Sequence, residues 1–370
     1  MTTIGGIHHV TSIAADPKRT EEFYAGTLGL HLVRKTVNFD EPSVLHFYFG
    51  DPQGSPGSMI TFFFHQTEPP GRCGTGYVNS IVFAVPPGTL QSWRGRLIAR
   101  GADVMGTAWS FGEECVCFRD PDGLELALIE EASDAAPSDH DAKGKADQSI
   151  RRIRSVEIQI EGFQHTSKFL TERLGFDELG QEGAVFRFLD GPPDRPIAVD
   201  LLCTPTHRPG RAGPGVAHYI ALRVADSDAL AKFGTMLANY GFDVTPALDR
   251  QYYHAIYFRG PCGVHFAIAT DGPGFAITDP DRGPGEMLSL PPWLEPNRTV
   301  IKRRLRSRNS VPADAPASPK RPLRASHESA CANPNDCTLP IRITATHLHP
   351  RAGHRSGELG SRPVRHRFHI

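Results

Sequence analysis

Two rhythms of apolar residues alternate along the first 300 positions. Stretches of period two, such as IHHVTSIA and VLHFYFGD, read as half-buried strands, and stretches with apolar spacing near 3.6, such as Phe169, Leu170 and Leu174, read as amphipathic helices. The two recur four times in one order of strand, helix and further strands, which is the signature of an internal repeat. The first copy runs from IHHVTSIA through TEEFYAGTLGL to SMITFFF, and the second from YVNSIVFAV through TLQSWRGRLIARGADV to CVCFRDPDGLELALIEE. The third carries SVEIQI, HTSKFLTERLGF, AVFRFLDG and IAVDLLC; the fourth carries AHYIALRV, DALAKFGTMLANYGFDV, HAIYFRG and VHFAIAT. Gly29, Gly175 and Gly241 stand at helix ends, where a left-handed residue commonly ends the last turn. PDG at 121–123 and PCG at 261–263 read as turns before a final strand.

This pattern predicts an α+β fold of four tandem βαβββ modules with cup-shaped sheets. Domain 1 is expected over 4–131 (modules 1 and 2), a linker over 132–150, domain 2 over 151–285 (modules 3 and 4) and a C-terminal extension over 286–305. Residues 306–370 lack periodicity, are rich in Pro, Ser and Arg, and read as a disordered basic tail.

One βαβββ module has a single sheet face to bury, and two side by side can curl into a cup with their helices outside. Alternation then sorts the side chains. In the fourth module His218, Ile220, Leu222 and Val224 take the helix side, leaving Tyr219, Ala221 and Arg223 to the cup. Matching the Ala-Asp endings at Asp16 and Asp226 sets His9 opposite Tyr219 and His8 opposite His218. On the last strand Val264, Phe266 and Ile268 face the core, while His265, Ala267 and Ala269 face the cup. Leu124, Leu126 and Leu128 repeat this in the second module, leaving Glu125 and Ala127. A cup lined by His9, Tyr219, His265 and Tyr257 is more polar than packing requires, although a strand histidine is more often structural than a ligand.

Composition narrows the chemistry. The net charge of -1 hides an asymmetry: of 40 Lys+Arg and 41 Asp+Glu, residues 301–370 hold 14 and 4, leaving an acidic body of 26 and 37. An acidic body without a basic stripe argues against nucleic acid as the main ligand. No apolar run has the length of a membrane helix, and the N-terminus lacks a basic-then-apolar secretory signal. The 7 cysteines include no Cys-x-x-Cys pair, so a reducing cytoplasm is expected, with no membrane partner. A homo-oligomer is left open.

Three stretches carry a family resemblance: FYAGTLGLHLVRKTVNFDEPSVLHFYFGDPQGSPGSMITFF, DRQYYHAIYFRG and FAIATDGPGF. They resemble the ring-cleaving hydroquinone and catechol dioxygenases of the vicinal oxygen chelate (glyoxalase/bleomycin resistance) superfamily, over about residues 4–305. The resemblance implies two vicinal-oxygen-chelate domains and one Fe(II), in some members Mn(II), held by two histidines and a glutamate. It implies a small aromatic substrate cleaved with O2. The first ligand position is His9; the second holds Tyr219, after the retained His218; the glutamate position holds Ala267. Two of three family ligands are therefore replaced. A shifted metal set of His9, His265 and either His218 or Tyr219 is one expectation, and a relative that binds aromatics without turnover is the other. His8 and Tyr257 match positions that the family uses around the metal for proton transfer and for orienting substrate. Arg250, in the DRxY stretch, is the nearest candidate for its active-site arginine.

Overall fold

Asp16 and Asp226, the shared endings seen in the sequence, are helix caps. The Asp16 carboxylate accepts from the backbone N–H of Lys18 and Arg19, and that of Asp226 accepts from Ala229 N at 2.8 Å. Each cap turns a first strand into the helix that covers it. The computed structural model describes residues 3–132, 148–192, 195–275 and 287–309.

Module 1 comprises β1 (Ile7–Ala14), α1 (Pro17–Glu21, continuing as a π-helical turn over Glu22–Thr27), β2 (His31–Val37), β3 (Leu45–Gly50) and β4 (Met59–Phe64). Module 2 comprises β5 (Tyr77–Val85), α2 (Leu90–Ala99), β6 (Asp103–Ser110), β7 (Glu113–Arg119) and β8 (Glu125–Glu130). Module 3 follows with β9 (Arg152–Ile160), α3 (Gln164–Lys168, continuing as a π-helical turn over Phe169–Leu174), β10 (Asp177–Glu182), β11 (Val185–Asp190) and β12 (Ile197–Cys203). Module 4 has β13 (Val216–Val224), α4 (Ser227–Asn239), the two-residue β14 (Leu248–Asp249), β15 (Tyr253–Arg259) and β16 (His265–Pro273). Gly29 and Gly175 follow their π-helical turns with φ of 78° and 82°, a conformation that costs a side-chain-bearing residue.

The strands form one curved 16-stranded sheet, with the order β10-β11-β12-β9-β5-β13-β1-β4-β3-β2 along its main path. Its seams decide where a site can form. β1 pairs antiparallel with β13, and β5 with β9, so module 1 builds a cup with module 4 and module 2 with module 3. Between β13 and β5 only Ala217 and Val78 pair. The outer face and the helices enclose a continuous core, including Trp93, Phe118, Leu126, Phe266 and Ile268, all below 2% exposed. Leu124, Leu126, Leu128, Val264, Phe266 and Ile268 lie in it, as alternation predicts.

Alternation fails at two positions. In the β1–β13 ladder Ile7 pairs with Leu222 and His9 with Ala221, so His8 is an extra residue; Thr11 pairs with Tyr219 and Ser12 with Ala217, so His218 is another. Each is a β-bulge, where two residues oppose one and the period of two is reset. His218 consequently lines the cup with Tyr219 instead of facing the helix.

The two cups have different interiors. That of modules 2 and 3 is filled by ion pairs: Arg187 binds Asp200 through two 2.8 Å contacts and reaches Glu113 at 2.8 Å, while Arg119 holds Glu125 at 2.8 Å. Asn79 donates to Glu157 at 2.7 Å, and burial pushes the Glu157 carboxyl up to about 8.

A C-terminal segment braces the other cup. Helix α5 (Arg298–Asn309) buries Ile301 and Leu305 against Val37 and Leu290, and Trp293 meets Phe39 edge to face at 5.7 Å. The four-residue spacing of Ile301 and Leu305 gives α5 its apolar side, so helix continues past residue 305, where the sequence pattern sets the start of the tail. Residues 310–370, and 133–147 of the expected linker, lie outside the described residues. No described helix is long and apolar enough to cross a membrane.

Candidate functional site

The cup of modules 1 and 4 encloses a cavity of about 360 Å³. β3 contributes His46 and Tyr48, β4 Phe63, β13 His218 and Tyr219, β15 Tyr253 and Tyr257, and β16 His265. Asn38, Phe39 and Asp40 enter from the loop after β2, and Thr245, Leu248 and Arg250 from the segment before β15. The α5 brace packs on Phe39 and so supports one wall of the cavity.

Below the cavity floor lies the paired histidine motif. His9 is fully buried, with its Nδ1 2.8 Å from His8 Nδ1 and its Nε2 3.2 Å from the Tyr219 hydroxyl and 3.5 Å from that of Tyr253. Burial lowers His8 to about 4 and His9 well below the usual imidazole range, so both rings are neutral. One of the two Nδ1 atoms donates and the other accepts, and the Tyr219 hydroxyl is the nearer of the two phenols to His9 Nε2.

The rim is held by Arg250. Its Nε donates to the Tyr257 hydroxyl at 3.1 Å and its Nη2 meets Asp40 at 2.9 Å, tying module 4 to the module 1 loop. Burial opposes the Arg250 charge, but Asp40 and Tyr257 more than offset it and hold the guanidinium ionised. Burial raises Tyr48, Tyr219 and Tyr253 well above the ordinary phenol range, and raises Tyr257 against the pull of Arg250. The cavity is thus lined by phenols and neutral imidazoles, with the Arg250–Asp40 ion pair at its rim.

His8, Tyr257 and Arg250 are brought around one centre with His9 and Tyr219. The set His9, His218 and His265 is not. His265 accepts from Arg259 Nη2 at 2.7 Å and stacks against His218 at 5.7 Å, whereas His9 lies beneath Tyr219 and takes no part in that stack. Arg259 faces His265 directly across the β15–β16 hairpin, so a cation occupies the nitrogen that a metal would need. Among the described residues no group of three or more His, Cys, Asp or Glu is arranged to hold a metal ion.

The positions that the sequence resemblance implies as metal ligands do not fit Fe(II) or Mn(II) either. Ala267 is fully buried and offers no donor atom. Tyr219 would have to ligate as a phenolate, which its burial disfavours. Its hydroxyl also lies 3.2 Å from His9 Nε2, where a bound metal would stand near 2.0–2.2 Å from the nitrogen.

His46 is a site residue that the strand analysis missed. Its Nε2 bonds Thr61 Oγ1 at 2.9 Å, and its ring packs on Tyr48 at 4.2 Å and Phe63 at 4.3 Å. The signal lay in LHFYFG, where His46 and Tyr48 alternate with the core residues Phe47 and Phe49.

A family model described as the Glyoxalase/Bleomycin resistance protein/Dioxygenase superfamily matches residues 6–128 and 152–268. MhqO of Bacillus subtilis (strain 168), named as a candidate ring-cleaving dioxygenase, is 37% identical over 300 residues, 81% of this chain and 95% of its own. The chlorohydroquinone/hydroquinone 1,2-dioxygenase of Sphingobium indicum is 28% identical over 299 residues, 79% of this chain and 93% of its own. A solved structure of a candidate dioxygenase from Bacillus subtilis matches with a TM-score of 0.77 at 37% identity, over 82% of this chain and 97% of that one. Glyoxalase I from Zea mays, at 16% identity over 72% of this chain and 92% of its own, shares the fold with a TM-score of 0.54.

Proposed function

The chain belongs to the Glyoxalase/Bleomycin resistance protein/Dioxygenase superfamily, and from that premise we propose that it binds a small hydroquinone- or catechol-type aromatic in the cup of modules 1 and 4, as a relative of ring-cleaving dioxygenases. The observation that carries this reading is the cavity itself. About 360 Å³ suits a single substituted ring, and its walls combine Phe63, Tyr48, Tyr253 and Tyr257 with a few convergent polar groups. Edge-to-face and offset contacts with those rings hold a planar ligand. Tyr219 at the floor and Arg250 at the rim supply hydrogen bonds that fix its orientation.

Cleavage of the ring with O2 is the activity that the sequence resemblance implies. Side chains do not activate O2 by themselves, so such chemistry calls for a redox-active metal. The donors around His9 do not fit one, and no catalytic step is assigned to it. Metal-dependent cleavage stays the second reading because the His9 Nδ1 is held by His8 at 2.8 Å while its Nε2 points toward position 219, an outer contact of the kind that orients metal-ligating histidines.

Anaerobic calorimetric titration with hydroquinone and with catechol tests the binding reading. Saturable one-to-one binding is expected for at least one of them. Arg250→Ala is expected to weaken it by about tenfold, the worth of one charge-assisted hydrogen bond. Failure of both compounds to bind the folded protein, with or without added Fe(II), would remove the reading.

A further inference from the structure

We infer that the cup of modules 1 and 4 takes a hydroxylated aromatic that carries a carboxylate, with the carboxylate seated at the mouth of the cup on Arg259 and His265. The inference rests on the aromatic-binding reading above and names the class of ring that this site prefers.

The internal repeat leads to it. FRDPDGLELAL closes module 2 and FRGPCGVHFAI closes module 4, so Arg119 and Glu125 correspond to Arg259 and His265. Each pair stands directly opposite across its hairpin, β7–β8 or β15–β16. In module 2 the contact is an ion pair, with Arg119 Nη2 2.8 Å from Glu125 Oε1. In module 4 Arg259 Nη2 meets His265 Nε2 at 2.7 Å. A guanidinium only donates, so His265 accepts through Nε2, is neutral and carries its one proton on Nδ1. The module 4 arginine therefore stands in the same place in the repeat without the counter-charge. Its Nη1 donates to the Gly263 carbonyl at 2.8 Å, and no described carboxylate pairs with it.

A solvated arginine needs no partner, but this one bears on a ring that lines the cavity. Alternation along β15 puts Arg259 on the same side as Tyr257, another lining residue. Arg259 is exposed and His265 half-buried, which sets the pair at the open end of the cup. The His265 Nδ1–H bonds no described residue, and neither do the ring nitrogens of His218, stacked on it at 5.7 Å. The arginine that lines the cavity, Arg250, is already paired with Asp40. A ligand carboxylate would supply at this mouth the anion that Glu125 supplies in the second cup.

The test compares 2,5-dihydroxybenzoate with its methyl ester and with hydroquinone by anaerobic calorimetry, in EDTA and again with added Fe(II). In EDTA the parent protein is expected to bind the acid about tenfold or more tighter than either neutral ring, the worth of one charge-assisted hydrogen bond. That margin should shrink as salt is raised, because Arg259 is exposed. Arg259→Gln should erase the margin between acid and ester, and Arg259→Lys, which keeps the charge, should retain part of it. Binding of hydroquinone with no preference for the acid would overturn the inference. So would a preference that survives in Arg259→Gln, or one that appears only with Fe(II) and so belongs to the metal. Absence of binding by all three compounds under both conditions would instead fail the aromatic-binding reading itself.

Discussion

The double variant Tyr219→His/Ala267→Glu is expected to retain Fe(II) or Mn(II) near stoichiometry after anaerobic loading, where the parent retains little. The expected gain in affinity is about 10³-fold or more, since even outer partners of metal ligands are commonly worth about 10–100-fold each. The scaffold for it persists. His9 already directs its Nε2 at position 219, with its Nδ1 held by His8 at 2.8 Å. His9 pairs with Ala221 and Ala221 with Ala267, so positions 9, 221 and 267 form one row across three adjacent strands. A glutamate at 267 would extend from that row into the cup, beside position 219. The carboxylate supplies the negative charge that a divalent cation needs, and the new imidazole supplies a donor in place of a phenol.

The two changes should be strongly non-additive. Ala267→Glu alone inserts a carboxylate into a fully buried position, where the cation of the cavity, Arg250, is already paired with Asp40, and should destabilise the protein. Tyr219→His alone removes the hydroxyl beside His9 Nε2 but supplies no anionic ligand. A double-mutant cycle on metal content, read by plasma emission, separates coupled ligation from independent effects. A double variant that folds and still holds no metal would show that positions 219 and 267 do not converge on His9.

Which parts of this were legible in the sequence follows from the range of the interactions involved. The four modules could be read because each strand buries one face against its own helix, so Leu124, Leu126 and Leu128 or Val264, Phe266 and Ile268 announce themselves by alternation. His265 was likewise set on the cup side. Its neutralisation as a ligand depends on Arg259, its partner across the hairpin. The errors occur where a single extra residue resets the period. The bulges at His8 and His218 carry no glycine or proline to mark them, and they exist only because β1 and β13, some two hundred residues apart, pair with each other. The Arg250–Asp40 tie and the α5 brace on Phe39 are of the same non-local kind. The match of Tyr219 to His9 was readable as a position. That its hydroxyl stands within hydrogen-bond distance of His9 Nε2 required the ring geometry.

The second cup yields the other large effect, on stability against pH. Glu157 lies among Asn79, Asp200, Glu125 and Arg187, and its carboxyl is raised from 4.5 to about 8. Burial is the main cause; the Asn79 hydrogen bond and Arg187 pull it down, while Asp200 and Glu125 push it up. A carboxyl whose folded value exceeds its unfolded one is held protonated by the fold. Its contribution is complete below about 4.5 and is lost as pH rises through about 8. At about 1.36 kcal/mol per unit, the whole span is on the order of 5 kcal/mol, with about 2.5–3 kcal/mol of it between pH 6 and pH 9. The proton also has a use, because Asn79 Oδ1 is a buried acceptor without a partner and the protonated carboxyl next to it can donate. Glu157→Gln keeps the shape, the acceptor for Asn79 and a donor, and removes the titration. Urea unfolding of parent and variant at both pH values isolates Glu157 from other groups that titrate nearby, such as Asp120 at about 7. The variant should be nearly equal to the parent at acid pH and gain on it steadily toward pH 9, by about 2.5–3 kcal/mol from pH 6. A difference that stays constant between the two pH values would mean that Glu157 is ionised throughout and is paired with Arg187 in the folded protein.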